Sequence, residues 1–237
     1  MKGGVQGPLA RSGNTPPPDL IYRPPPDDGL VILHHDDDMV VLSKPSGLLS
    51  VPGNKPHLQD CMEARVQAEF PTATTIHRLD RPTSGVCVMA LNREAHRRLG
   101  KQFELRQTRK TYRAVVSGEP AEDRGTIEQP LRTDWYNRPK QMVDNCLGRE
   151  AITHWRVDER LGDQAIMTLN PVTGRSHQLR VHLQWLGHPI LGDEFYAPPT
   201  VLAKSDRLLL HAESLEITHP SNGKRMRFED PSPFIKT

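Results

Sequence analysis

The apolar residues of this 237-residue chain fall into short runs, and none approaches the roughly 20 residues of a membrane span. Most are strand-like. "LVILHHDDDMVVLSKP" reads as two strands around a polar turn, and "GVCVMAL" as a buried strand. "KTYRAVVSG" is another. "AITHWRVDERL" and "QAIMTLNPV" look paired through a turn near Gly162, and "RLLLHAESLEIT" and "KRMRFED" supply the last two. Helical spacing is confined to 58–70, stopped by Pro71, to 93–106, and to "RSHQLRVHLQWLG", ended by Gly187. Strands outnumber helices and do not alternate strictly with them, which points to an α+β domain on a mixed sheet and away from a doubly wound one. Residues 1–28 hold seven prolines and few large apolar groups, so a disordered Pro-rich arm is expected there and the folded domain over 29–237.

Composition narrows the setting. The N-terminus lacks the apolar core of a secretory signal, and three cysteines (Cys61, Cys87, Cys146) are too few and too scattered for a disulfide framework. They read as buried small hydrophobes in a reducing compartment, and the chain as a soluble cytoplasmic protein. Net charge is only +2, yet His77 to Arg113 carries ten Lys or Arg against three acids. That asymmetry suggests a basic face for an anionic partner, with a solvated helix face as the plain alternative.

One carboxylate stands out. "IHRLDRPTSG" (76–85) sets Asp80 between Arg78 and Arg81, before a Thr-Ser-Gly turn signal that includes Thr83 and leads into the buried run. A surface salt bridge beside a turn is the bland explanation. An ionised carboxylate aimed at a substrate is the sharper one. Further along, "NPVTGRSHQLRVH" (170–182) reads as a Thr173-Gly174 turn opening a helix whose first turn holds Arg175, Ser176 and His177, with Gln178 next. Such an N-terminus favours phosphate. Arg180, about a turn further in, could pair with Asp80 and keep it anionic. Lys110 and Tyr112 lie in "RKTYRAV", where the tyrosine could stack on a base or serve the core. "DWYNRPKQMV" (134–143), with Arg138 and Lys140, interleaves aromatic and basic residues as single-stranded RNA sites do. Arg97 and Arg98, on the basic helix, are candidates for tracking a nucleic-acid backbone.

No metal or nucleotide motif emerges. His177 and His182 are five apart, about 140° around a helix, which is the wrong face for joint ligation. The acids beside His34 and His35 fit a solvated turn. "KPSGLLSVPG" lacks the spacing of a phosphate-binding loop. A glycoside hydrolase would need a second carboxylate beside Asp80, and none is assigned. An RNA-binding module without turnover would leave Asp80 as a repulsive charge in an anion-binding cleft.

Taken in order, "KPSGLLSVPG", "HRLDRPTSG", "KTYRAVVSG", "PVTGRSHQLRVHLQWLGHPILGDEFY" and "LLLHAESLEITHP" resemble the RluA family of pseudouridine synthases over roughly residues 30–220. "WYNRPKQ" and the lack of an S4-like domain ahead of Leu30 resemble its founding branch. Members of that branch modify large-subunit (23S) ribosomal RNA and the anticodon stem-loop of some tRNAs. The resemblance implies a mixed, largely antiparallel sheet with flanking helices and a central RNA-binding cleft. It makes Asp80 the nucleophile, Tyr112 the base-stacking active-site tyrosine and Arg180 the partner of Asp80. Arg78 would fill the gap left by a flipped uridine, and Leu210 would line the apolar side of the uracil pocket. It also implies that no cofactor is needed and that the partner is an RNA stem-loop, bound by a monomer.

Overall fold

The computed structural model of the chain describes residues 22–235. One large sheet dominates. Its strands are β1 (Val31–His35), β2 (Met39–Lys44), β3 (Thr74–Thr75), β4 (Ser84–Ala90), β5 (Arg109–Ser117), β6 (Arg124–Ile127), β9 (Thr153–Arg160), β10 (Gln164–Pro171), β11 (Leu210–Thr218) and β12 (Arg225–Glu229). A short separate hairpin is formed by β7 (Leu131–Thr133) and β8 (Gln141–Val143). The main path runs β1-β2-β4-β11-β5-β10-β9-β6, with β12 also on β11 and β3 on β4. Every pairing is antiparallel except β4 with β11. The fold is therefore α+β around a mixed, mostly antiparallel sheet.

The strand that follows Asp80 shows why the sheet forms there. All seven residues of β4 are buried. Alternation sends Val86, Val88 and Ala90 to one face, against Ala95 and Leu99 of α2 (Arg93–Glu104). Cys87 and Met89 go to the other, against Met62 and Val66 of α1 (Met62–Glu69). A strand covered on both faces has no polar side to show, which is why its sequence is a continuous apolar run. Helix α2 starts where Asn92 Oδ1 accepts the Ala95 amide at 2.9 Å, and ends before Arg106, whose φ of 58° is left-handed.

Three sequence expectations change. The Thr-Ser-Gly segment is not a turn, because Ser84 and Gly85 already belong to β4. Gly85 has φ 114°, and a Cβ there would lie 2.2 Å from the Ala212 carbonyl oxygen. Close approach of two parallel backbones demands the glycine. Cys61 and Cys87 are buried, but Cys146 is exposed, on a turn outside the sheet. The third helix, α3, spans Gln178–Trp185, so Arg175, Ser176 and His177 precede it, with His177 left-handed at its N-cap (φ 54°).

Of the arm expected over 1–28, residues 1–21 lie outside the described residues. Residues 22–28 have irregular backbone but are tied to the domain. The Tyr22 hydroxyl donates to the Asp60 carbonyl at 2.8 Å and accepts the Leu49 amide at 3.1 Å. Arg65 donates to the Pro25 and Pro26 carbonyls at 2.7 and 3.1 Å. No helix among the described residues is long and apolar enough to cross a membrane.

Candidate active site

Asp80 sits in a loop held from three directions. On its N-terminal side, the His77 ring stacks on Phe103 of α2, centroids 4.5 Å apart, and accepts the Val88 amide at 3.2 Å. Burial, with Lys110 nearby, pushes that imidazole down to about 3, so it stays neutral. Ser50 then clamps Leu79, its hydroxyl donating to the Leu79 carbonyl at 2.7 Å and accepting the Leu79 amide at 3.1 Å. Beyond Asp80, the Thr83 amide donates back to the Asp80 carbonyl at 3.0 Å. Lys44, the last residue of β2, is fully buried beneath the loop. Its ammonium donates to the carbonyls of Leu48, Pro45 and Arg81 at 2.7, 2.9 and 3.1 Å. Three acceptors keep a buried cation tolerable, although burial still lowers its pKa to about 8.

The loop opens on a cleft of about 1050 Å³. Parallel pairing of β4 with β11 and antiparallel pairing of β11 with β5 bring Leu210 and Tyr112 to the same wall. Tyr112 is half-buried against both neighbouring core clusters, and burial raises its phenol pKa. The apolar side of the cleft thus joins Tyr112, buried Leu210 and buried Leu179. Facing them, Arg180 on α3 directs Nη1 to Asp80 Oδ2 at 3.4 Å, the long end of a hydrogen bond.

Arg180 has a stronger partner. Asp193, 0% exposed, accepts Arg180 Nε at 2.8 Å and Nη2 at 2.7 Å, and its Oδ1 also accepts the amides of Phe195 and Tyr196. Burial works against the guanidinium charge, but the Asp193 hydrogen bonds together with the charges of Asp193, Asp80 and Tyr196 outweigh it, so the Arg180 pKa is raised. The same loop holds two other cleft residues. Glu194 receives Arg81 Nη2 at 2.8 and 2.9 Å. The Tyr196 hydroxyl accepts the Gln141 amide at 2.8 Å and contacts His177 Nδ1 at 2.6 Å. The Tyr196 hydroxyl therefore ties the β7–β8 hairpin to the His177 ring. Burial lowers the His177 pKa, consistent with a neutral ring.

The other sequence-selected residues divide by circumstance. Arg78 is exposed on the cleft rim and makes no hydrogen bond or ion pair among the described residues. Lys110 lines the cleft with only a 3.5 Å contact to the Thr173 carbonyl, and burial lowers its pKa to about 8. Arg175 is half-buried, donating from Nε to the Glu150 carbonyl at 2.8 Å; burial, with Arg149 and Arg106 nearby, lowers its pKa. Gln178 is buried and committed to the fold, accepting from Thr173 and Arg175 and donating to Ile152 and Thr153. Arg138, at the tip of the β7–β8 hairpin, stacks its guanidinium 3.1 Å from the centre of the exposed Trp135 ring. Lys140 is on the same hairpin but does not line the cleft, and neither do Arg97 and Arg98. Both of those arginines pair with Glu94, at 2.7 and 2.6 Å.

Residues 38–185 match the family model described as RNA pseudouridylate synthase. The chain belongs to that family. Over 197 residues the synthase is 50% identical to the dual-specificity RNA pseudouridine synthase RluA of Escherichia coli K12, covering 83% of this chain and 90% of that one. The equivalent protein of Yersinia pestis is 51% identical, with 83% and 96% covered. Among solved structures, human RNA pseudouridylate synthase domain containing 1 superposes with a TM-score of 0.75 at 28% identity, covering 90% of this chain and 87% of that one. The protein is thus an isomerase that converts uridine in RNA to pseudouridine.

Sequence reasoning treated Asp80 as the sole carboxylate of the synthase site, and Asp193 corrects it. "GDEF" carries no motif spacing that would announce an ion pair with a residue 13 positions earlier. Lys44 closes β2. Nothing local marks it as buried, because its carbonyl partners come from two segments. The one metal-like grouping among the described residues is Asp36, Asp38 and His219, away from the cleft. His219 Nδ1 accepts the amides of Ser221 and Asn222, so its Nε2 carries the proton, donates to Asp36 and has no lone pair for an ion.

Proposed function

We propose that this synthase isomerises uridines in 23S ribosomal RNA and in a tRNA anticodon stem-loop, with Asp80 as the nucleophile. It would act as a monomer in the cytoplasm. The observation that carries the assignment is convergence: the partly buried Asp80 carboxylate, Tyr112, Leu210 and Arg180 line one cation-rimmed cleft. Asp80 acts on the flipped nucleotide, either by attacking it or by taking a proton from the ribose. The N1–C1′ bond breaks, uracil turns against Tyr112 and Leu210, and a C5–C1′ bond forms. C5 then loses its hydrogen and N1 gains a proton, so product and substrate are isomers and no cofactor is consumed. Arg78, Arg81, Lys110, Arg138, Arg175 and His177 are assigned to contacts with the RNA, whereas Thr83, also expected there, is only 2% exposed and serves the Asp80 loop.

The base must leave its stack to reach Asp80, at about a few kcal/mol. Arg78 and Asp80 both line the cleft, two residues apart with buried Leu79 between them. An unpartnered guanidinium on the rim is suited to occupy the vacated space. The decisive experiment is tritium release from RNA carrying 5-tritiated uridine, with pseudouridine mapping in cellular RNA of a deletion strain. Asp80→Asn should bind RNA and release no tritium. Near-normal release would remove Asp80 from the role of nucleophile, and unmodified positions confined to one RNA class would remove dual specificity.

A further inference from the structure

We propose that Asp193 is a positioning residue for the isomerisation, dividing one guanidinium between two carboxylates so that Asp80 keeps a single long contact and stays uncommitted. This rests on Asp80 being the nucleophile. The guanidinium of Arg180 has a two-pronged edge, Nε with Nη2, and a remaining nitrogen, Nη1. Asp193 takes the edge at 2.8 and 2.7 Å, while Asp80 receives the single Nη1 contact at 3.4 Å. Burial follows the same division. The Asp193 side chain is 0% exposed and that of Asp80 is 26% exposed, although both face a cation that is itself 1% exposed.

The asymmetry has a chemical consequence. A carboxylate in a two-pronged pair with arginine has oxygens occupied by short, charge-assisted bonds and is a poor nucleophile or base. A lone contact at 3.4 Å leaves most of the lone pairs of Asp80 free toward the cleft. Asp193 imposes this because it cannot move. Its Oδ1 is fixed by the Phe195 and Tyr196 amides at 2.9 and 3.2 Å, and the Arg180 guanidinium carbon lies 5.2 Å from the centre of each of those two rings. Gly192 permits the loop to begin there, with φ 71° and the Arg207 carbonyl oxygen 1.9 Å from where a Cβ would lie. With the Asp193 charge removed, Arg180 is free to turn its edge onto Asp80, converting the nucleophile into a buried pair.

The test uses the full chain and single-turnover tritium release from a stem-loop RNA, with RNA affinity measured alongside. Asp193→Asn retains an oxygen for the two loop amides but loses the charge. Its rate constant should fall about 100-fold, the scale on which an ångström of misplacement acts, while RNA affinity stays within a factor of two. Asp193→Glu should recover part of the rate. In an Arg180→Met background, Asp193→Asn should cost little further, because the two residues act as one unit. A rate within twofold of the parent for Asp193→Asn, or losses that multiply independently with Arg180→Met, would overturn the proposal. Asp80→Asn is the control. Activity surviving there discards the nucleophile assignment itself, whereas an inactive Asp80→Asn beside a fully active Asp193→Asn discards only the role of Asp193. Should Asp193→Asn melt below the assay temperature, the double variant of Arg180→Met and Asp193→Asn is compared with Arg180→Met at a temperature where both are folded. The double variant leaves neither a buried cation nor a buried carboxylate unpaired, and that comparison decides the outcome.

Discussion

Helix α2 and the cleft rim are both rich in arginine and lysine, but Arg97 and Arg98 on the one and Arg78 and Lys110 on the other are in opposite circumstances. On α2, Arg97 and Arg98 converge on one acid, Glu94, which Arg97 and then Arg98 hold down at about 2. Arg98 also donates to the Pro220 carbonyl at 2.6 Å. These groups are on the outer surface, already hydrogen-bonded and well solvated. On the rim, Arg78 has no partner among the described residues, and Lys110 has one long contact to a carbonyl. Charge along a sequence does not say which cations are available. A cation is available to phosphate when the fold has given it no acid and has placed it where a polyanion passes.

The comparison is open to test, beginning where the effect should be largest. Arg78→Ala should slow tritium release strongly on a structured stem-loop, and the loss should shrink on an RNA whose target uridine is mispaired, since less unstacking work remains. Equal losses on both substrates would mean that Arg78 positions a phosphate or Asp80 and has no part in flipping. Next, Lys110→Ala and Arg175→Ala should each weaken binding and reduce the slope of log affinity against log salt by about 1, the signature of one lost phosphate contact. An unchanged slope for both would separate the cleft cations from the RNA backbone.

A smaller effect separates Lys110 from its arginine neighbours. Burial holds its pKa at about 8, so its charge is present at neutral pH and is lost as pH rises through that value. RNA affinity measured from pH 7 to pH 9 should therefore decline toward the alkaline end, and Lys110→Arg should flatten the decline. A decline that persists in that variant would belong to another group. The smallest change is expected on α2. Arg97→Ala with Arg98→Ala should leave the salt slope of RNA binding nearly unaltered, because both side chains are paired with Glu94 and neither lines the cleft. A clear flattening would place the RNA across α2 as well and restore the basic-face reading of 93–106.

Most strands and all three long helices were legible in the chain, because periodicity is a local property. β4 was readable as a buried strand from its uninterrupted apolar run. The end of α3 was readable from Gly187, which has φ 89°. Its start was not, since nothing in "TGRSHQ" announces that His177 adopts a left-handed conformation while its ring is held by Tyr196, 19 residues away.

By itself the sequence determined the strand-rich α+β class, the isolation of Asp80 among cations, and the identities of Tyr112, Leu210 and Arg180 as candidates for one site. The class and the setting of Asp80 follow from residue type and short-range spacing, whereas Tyr112 and Leu210 enter the site through the resemblance of the motif blocks to the family. Only the tertiary structure decided who pairs with whom. It set Arg180 against both Asp193 and Asp80, 13 and 100 residues away, and gave the tight contact to the acid that sequence reasoning had passed over. It buried Lys44 beneath the Asp80 loop and turned Arg97 and Arg98 away from the cleft. Ion pairing falls off within a few ångströms and depends on burial, and neither quantity exists until the sheet has closed distant segments onto one another.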